Sequence, residues 1–66
     1  MKIKVIYADR ETRIELSSKS TVLDLLGKLN INPETVLTKR DNEIVADFEE
    51  LNDKDSIEIL KVVSGG

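Results

Sequence analysis

The chain closes on Val62-Val63-Ser64-Gly65-Gly66, and two of its three glycines are its last two residues. At an average usage of about 7% per position, a Gly-Gly end arises by chance in roughly 0.5% of chains. Glycine packs nothing and loses the most entropy on ordering, so these residues do not hold the chain down. They do suit chemistry at the terminus. Without Cβ atoms, Gly65 and Gly66 can enter a channel too narrow for other residues, and the acyl carbon of Gly66 is open to attack from all sides. A frayed terminus is the plain alternative, and it gives no reason for Gly-Gly.

Other candidates for chemistry are weaker. Asp53 and Asp55 sit two apart, as do Asp41 and Glu43, and paired carboxylates can do acid–base work. In the turns of a small acidic protein such pairs are usually solvated. The stretch from Asp41 to Glu50, DNEIVADFEE, offers oxygen ligands but lacks the spacing and flanking helices of a calcium loop. Ser17, Ser18 and Ser20 have no histidine to activate them, because the chain contains none. There is no cysteine, hence no thiolate nucleophile, disulfide or Cys-based metal site. No glycine-rich phosphate loop is present, and 66 residues leave little room for a substrate pocket. These features exclude the common enzyme classes.

The bulk numbers point the same way. Sixty-six residues make one domain, which buries only about 60% of the surface its unfolded chain exposes. With no disulfide or zinc site to help, the fold rests on its core and its local signals. Thirteen acidic against ten basic residues give a net charge of −3. The basic residues are scattered, and the only aromatics are Tyr7 and Phe48. That pattern argues against nucleic acid as a direct ligand. The N-terminal MKIKVIYADRE has no long apolar run, so neither a signal peptide nor a membrane span is expected there, and the expected location is the cytoplasm.

The elements that must carry the terminus are legible. Met1, Ile3, Val5 and Tyr7 alternate with Lys2, Lys4 and Ile6, which predicts a strand with one buried face. Ala8 to Thr12 is short and polar and reads as a turn. Arg13 to Ser17 alternates again, with Ile14 and Leu16 inward, completing an N-terminal hairpin. Thr21 with Asp24 three residues on resembles a capping box, and Val22, Leu25 or Leu26, and Leu29 fall at helical spacing. Gly27 fits either a close approach of helix to sheet or a tolerated surface position. Asn30 and Asn32-Pro33 end the helix. Thr35 to Arg40 reads as a third strand, Asp41-Asn42 as a turn and Glu43 to Val45 as a fourth strand. Phe48 to Leu51 reads as one helical turn with Phe48 and Leu51 in the core. Ser56 to Val63 is the last strand. The order β-β-α-β-β-β predicts an α+β fold, one helix lying across one face of a mixed sheet of four or five strands. The apolar first and last strands are expected side by side in its centre, and parallel.

The last strand carries a second clue. If Ile57 and Ile59 face the core, Glu58 and Leu60 face solvent. An outward Leu60, followed by Val62 and Val63 and leading to a reactive end, suggests a docking patch beside the tail. The competing reading is a bulge or twist that buries Leu60.

These residues together resemble the ThiS/MoaD sulfur carriers, which are ubiquitin-like β-grasp proteins. The resemblance spans the hairpin, the helix starting at Thr21-Val22, the middle strands and the closing run LNDKDSIEILKVVSGG. An acidic turn followed by an apolar strand and Gly-Gly is the family's closing pattern. One departure is Lys54, which stands where a glycine is often found between the two acidic turn residues and leaves the turn type open. On this basis residues 1–63 form a single β-grasp domain and 64–66 a flexible Ser-Gly-Gly tail.

The resemblance implies a mechanism. An E1-like adenylating enzyme, supplying ATP and Mg2+, puts AMP on the Gly66 carboxylate. A sulfur donor enzyme then converts the acyl-adenylate to a thiocarboxylate. The sulfur passes to an accepting biosynthetic enzyme, for thiamine, molybdopterin or a thiolated tRNA base. The carrier itself binds no cofactor and acts as a monomer. Leu60, with Glu58 and Val62, would meet the activating enzyme, and Val63, Ser64 and Gly65 would thread Gly66 toward its nucleotide. With Gly66 last, no processing protease is implied. Two rivals share the fold. A protein modifier, like the archaeal small modifier proteins, would pass the same adenylate to lysines of a target protein. A β-grasp binding module would do no chemistry and have a dispensable tail.

Overall fold

The computed structural model describes residues 1–62, and the Ser64–Gly66 tail and Val63 lie outside the described residues. Five strands form one sheet in the order β2-β1-β5-β3-β4. The strands are β1 (Lys2–Tyr7), β2 (Arg10–Glu15), β3 (Val36–Arg40), β4 (Glu43–Val45) and β5 (Ser56–Lys61), with one α-helix, α1 (Val22–Lys28), and a 3-10 turn over Pro33–Thr35. As the alternation predicts, β1 and β5 are central and parallel, pairing Lys4 with Ser56 through Tyr7 with Ile59. The other pairings, β1–β2, β3–β5 and β3–β4, are antiparallel.

The core lies between the sheet and α1. Ile3 and Val5 of β1, Ile57 and Ile59 of β5, and Val22, Leu25 and Leu26 of α1 are all buried, joined by Leu16, Val36 and Leu51. Period-two apolar residues on β1 and β5 meet the period-3.6 stripe of α1, which is why one short helix suffices to cover one face.

The helix begins where the capping residues place it. Thr21 Oγ1 accepts from the Asp24 N–H at 3.3 Å, and Asp24 Oδ2 accepts from the Thr21 N–H at 2.9 Å. Asn30, with φ 58°, follows the helix in the left-handed region that terminates it. Gly27 is exposed, and nothing lies within 4 Å of where a Cβ would stand, so it is the surface position of the two readings.

Three expectations need correction. The first turn is only Ala8-Asp9, both at positive φ, and β2 already begins at Arg10. Arg10 to Arg13 are exposed and charged or polar because β2 is an edge strand, where charge blocks pairing with another chain. Phe48 is 77% exposed, not in the core. The segment around it is a turn, not a helical turn, and only Leu51 reaches the interior. Finally, β5 ends at Lys61 and does not include Val62, while Val63 lies outside the described residues.

The turn before β5 shows what Lys54 does in place of glycine: its φ is 68°, the left-handed conformation glycine adopts freely. The Lys54 N–H donates to the Lys2 carbonyl at 2.8 Å, and Asp53 Oδ1 accepts from the Lys2 N–H at 2.8 Å. The turn is thereby tied to the start of β1. That backbone hydrogen bond holds the Asp53 carboxyl below its ordinary value of 3.8. A carboxyl depressed in the folded state stabilises the fold above its unfolded value, and the contribution is lost as pH falls through the folded one. Asp53→Ala is therefore expected to lower the melting temperature at neutral pH. The gap to the parent protein should close on acidification below the ordinary aspartate range, which a series of thermal melts against pH will read.

Of the two carboxylate pairs, Asp53 and Asp55 have structural tasks. Asp55 Oδ2 accepts from the Asn52 N–H at 2.8 Å and from Arg40 at 3.2 Å, while Arg40 also donates to the Glu50 carbonyl at 3.1 Å. Among the described residues no group of three or more acidic side chains stands together to hold a metal ion.

Candidate functional site

The register of β5 decides what the chain presents beside its end. Ile57 and Ile59 are buried, and Glu58 and Leu60 point to the face opposite α1. Leu60 is 38% exposed, so no bulge or twist buries it. Glu58 is half-buried on that outer face, between Ile6 of β1 and Lys39 of β3. Opposite charges directly across a pair of strands, as at Lys39 and Glu58, help to fix the register.

Leu60 does not stand alone. Its partner across the β3–β5 ladder is Leu37, itself exposed, and Ile44 of β4 is exposed on the same outer face opposite Lys39. Leu37 and Leu60 make an apolar pair on the outer face, and the adjacent cross-strand row runs Ile44, Lys39, Glu58 and half-buried Ile6. Sequence reasoning found Leu60 and missed Leu37 and Ile44. The available signal was alternation in β3, where buried Val36 and Thr38 flank Leu37 and leave it the outward side chain.

The tail leaves from a fixed point. The Val62 N–H donates to the Thr35 carbonyl at 3.0 Å, so the backbone is held against the start of β3 one residue beyond β5. Val62 is 50% exposed and continues the apolar surface of Leu37 and Leu60. A hollow between the Ala8-Asp9 turn and Leu60-Lys61 borders the same corner. Val63, Ser64, Gly65 and Gly66 lie outside the described residues. The candidate site thus brings together exposed Leu37, Leu60 and Val62 and a backbone bond that anchors Val62. The charged side chains on that face include Glu58 and Lys39, which stand opposite each other across the β3–β5 ladder.

The ThiS family model matches residues 3–66, nearly the whole chain. The chain belongs to the ThiS family. ThiS-family proteins carry sulfur and are not catalysts, and they work with E1-like activating enzymes. The chain is similar to the sulfur carrier protein TtuB of Thermus thermophilus, 29% identical over 62 residues, which cover 94% of this chain and 95% of TtuB. Among solved structures it is similar to SAMP1 from Haloferax volcanii, with a TM-score of 0.79 at 18% identity and full coverage of both chains. The Caldiarchaeum subterraneum ubiquitin gives a TM-score of 0.75 at 20% identity, covering 100% of this chain and 98% of that one. These likenesses establish the ubiquitin-like β-grasp fold, with its mixed sheet and single helix.

Proposed function

We propose that this ThiS-family carrier transports sulfur as a thiocarboxylate on Gly66. A carboxylate is a poor electrophile. Attack of a Gly66 carboxylate oxygen on the α-phosphorus of ATP, in the active site of an E1-like enzyme, releases pyrophosphate and leaves an acyl-adenylate. A sulfur nucleophile at the oxidation level of hydrosulfide then adds to the acyl carbon and expels AMP. Its proton goes to solvent, and a thiocarboxylate remains. The carrier contributes the acyl group and the means of delivering it. Leu60, Leu37 and Val62 dock on the activating enzyme, with Glu58 at the edge of the contact. Val63 to Gly65 thread Gly66 to the nucleotide, where the absence of Cβ atoms admits the last two residues.

The observation that carries this reading is the coincidence of an outward Leu60 with an anchored exit at Val62, immediately before a Gly-Gly end. A β-grasp binding module without chemistry also uses an outward docking residue, but it gives no reason for the Gly-Gly end. The thiocarboxylate would serve an accepting enzyme that builds thiamine, molybdopterin or a thiolated tRNA base. The test is pyrophosphate exchange into ATP by an E1-like activating enzyme, with this protein's Gly66 carboxylate as the adenylyl acceptor. Exchange that depends on the carrier, with AMP recovered on Gly66, supports the proposal. Absence of carrier-dependent exchange overturns it. Gly66 recovered in amide linkage to lysines of other proteins would instead assign the chain to protein modification.

A further inference from the structure

Phe48 is the only phenylalanine of the chain and, at 77%, its most exposed large apolar side chain among the described residues. Its setting is built, not frayed. The Val22 N–H donates to the Glu49 carbonyl at 3.0 Å and the Leu23 N–H to the Asp47 carbonyl at 2.8 Å. These are N–H groups that the first turn of a helix leaves without intrahelical partners. The Leu51 N–H donates to the Ser20 carbonyl at 2.8 Å, and Glu49 Oε2 accepts from the Ala46 N–H at 2.8 Å. The loop carrying Phe48 is therefore clamped to the N-terminus of α1 from both sides, and the Leu23 N–H bonds the carbonyl of Asp47, the residue before Phe48, so two exposed apolar residues lie on adjoining backbone. A large aromatic side chain on an anchored backbone is the kind of residue that dominates protein interfaces, because it has only two side-chain torsions to fix when it docks.

The surroundings state the partner's charge. In the two segments that form the patch, residues 21–25 and 46–51, there is no lysine or arginine, and the exposed charged residues are Asp24, Asp47 and Glu50. Glu49 is turned inward, to the Ala46 N–H and toward Arg40. A second copy of this chain would set acid against acid. The patch also sits where β5 begins, since Leu51 leads through the Asn52–Asp55 turn into Ser56, whereas the tail leaves beyond Lys61. The length of β5 puts about 20 Å between the two ends.

We infer that Phe48 and Leu23 form a second docking surface, for a protein partner presenting an apolar socket ringed by lysine or arginine. Such a partner holds the carrier by the end remote from Lys61 and Val62, leaving Leu60 free for a second protein. The test uses the labelled full chain in an NMR titration with an amphipathic leucine/lysine peptide, a surrogate for such a socket, and with its leucine/glutamate counterpart. The expected result is saturable shifts at the amides of Leu23, Asp24 and Asp47 to Glu50 with the lysine peptide alone. Phe48→Ser should weaken that binding by about tenfold or more without lowering the melting temperature. Leu23→Ser is the second variant should the first be destabilised, and its binding should fall likewise. No shifts, equal binding of both peptides, shifts centred on Leu37 and Leu60, or concentration-dependent broadening at Phe48 without peptide would each overturn the inference. The last would assign the patch to self-association.

Discussion

A chain truncated after Ser64 is expected to melt with the full-length protein and to accept no measurable AMP. The first half follows from the core, whose buried residues run from Ile3 to Ile59. Gly65 and Gly66 have no side chain to bury, so their removal should change stability by less than about 0.5 kcal/mol, as for surface changes generally. The second half follows from reach. An extended residue spans about 3.3–3.6 Å, so the new carboxylate would stop about 7 Å short of the nucleotide. A misplacement of about 1 Å can already cost roughly a hundredfold in rate. The new terminal residue would also carry a Cβ into a channel shaped for glycine. Thermal melts and pyrophosphate exchange on the same preparation separate the two effects. Undiminished activation would mean that the Gly-Gly end is not the acyl site.

The second large effect comes from adjacent residues of β5 that face opposite ways. Leu60→Glu is expected to fold and to lose affinity for the activating enzyme by about 2 kcal/mol, roughly 30-fold in Kd, as for a central apolar anchor. Ile59→Glu is expected to unfold. Ile59 is only 3% exposed, and an unpaired buried charge costs about 3–5 kcal/mol. At roughly 0.05–0.15 kcal/mol per residue, a chain of this length has a total stability of only about 3–10 kcal/mol. Circular dichroism for folding and a binding titration for affinity will distinguish the variants. If Leu60→Glu binds normally, the outer face is not the docking surface.

How much of this was legible in the sequence depended on whether a residue obeyed a period. Ile3 and Val5, and Ile57 and Ile59, recur at every second residue, so the pairing and buried faces of the two strands followed, while the outward Leu60 was one of two readings until the register of β5 was known. Thr21 and Asp24 announced the helix start through a local interaction that needs no tertiary context. Phe48 belongs to no period. An isolated aromatic beside acidic residues reads as core on hydrophobicity alone, and only the clamp between its loop and the N-terminus of α1 turns it outward. Arg10 to Thr12 read as loop because an edge strand has polar residues on both faces. Lys54 hid a left-handed turn behind a residue type that does not advertise one. At the site, alternation exposed Leu60, but Leu37 and Ile44 joined it only once the β3–β5 and β3–β4 registers were known.

The most direct test of the carrier account is the intact mass of the protein after incubation with an E1-like activating enzyme, ATP, Mg2+ and a sulfide source. The account predicts a gain equal to one sulfur replacing one oxygen, localised by fragmentation to Gly66 and absent when ATP is withheld. An unchanged mass, with Gly66 still a free carboxylate after carrier-dependent turnover of ATP, would contradict it.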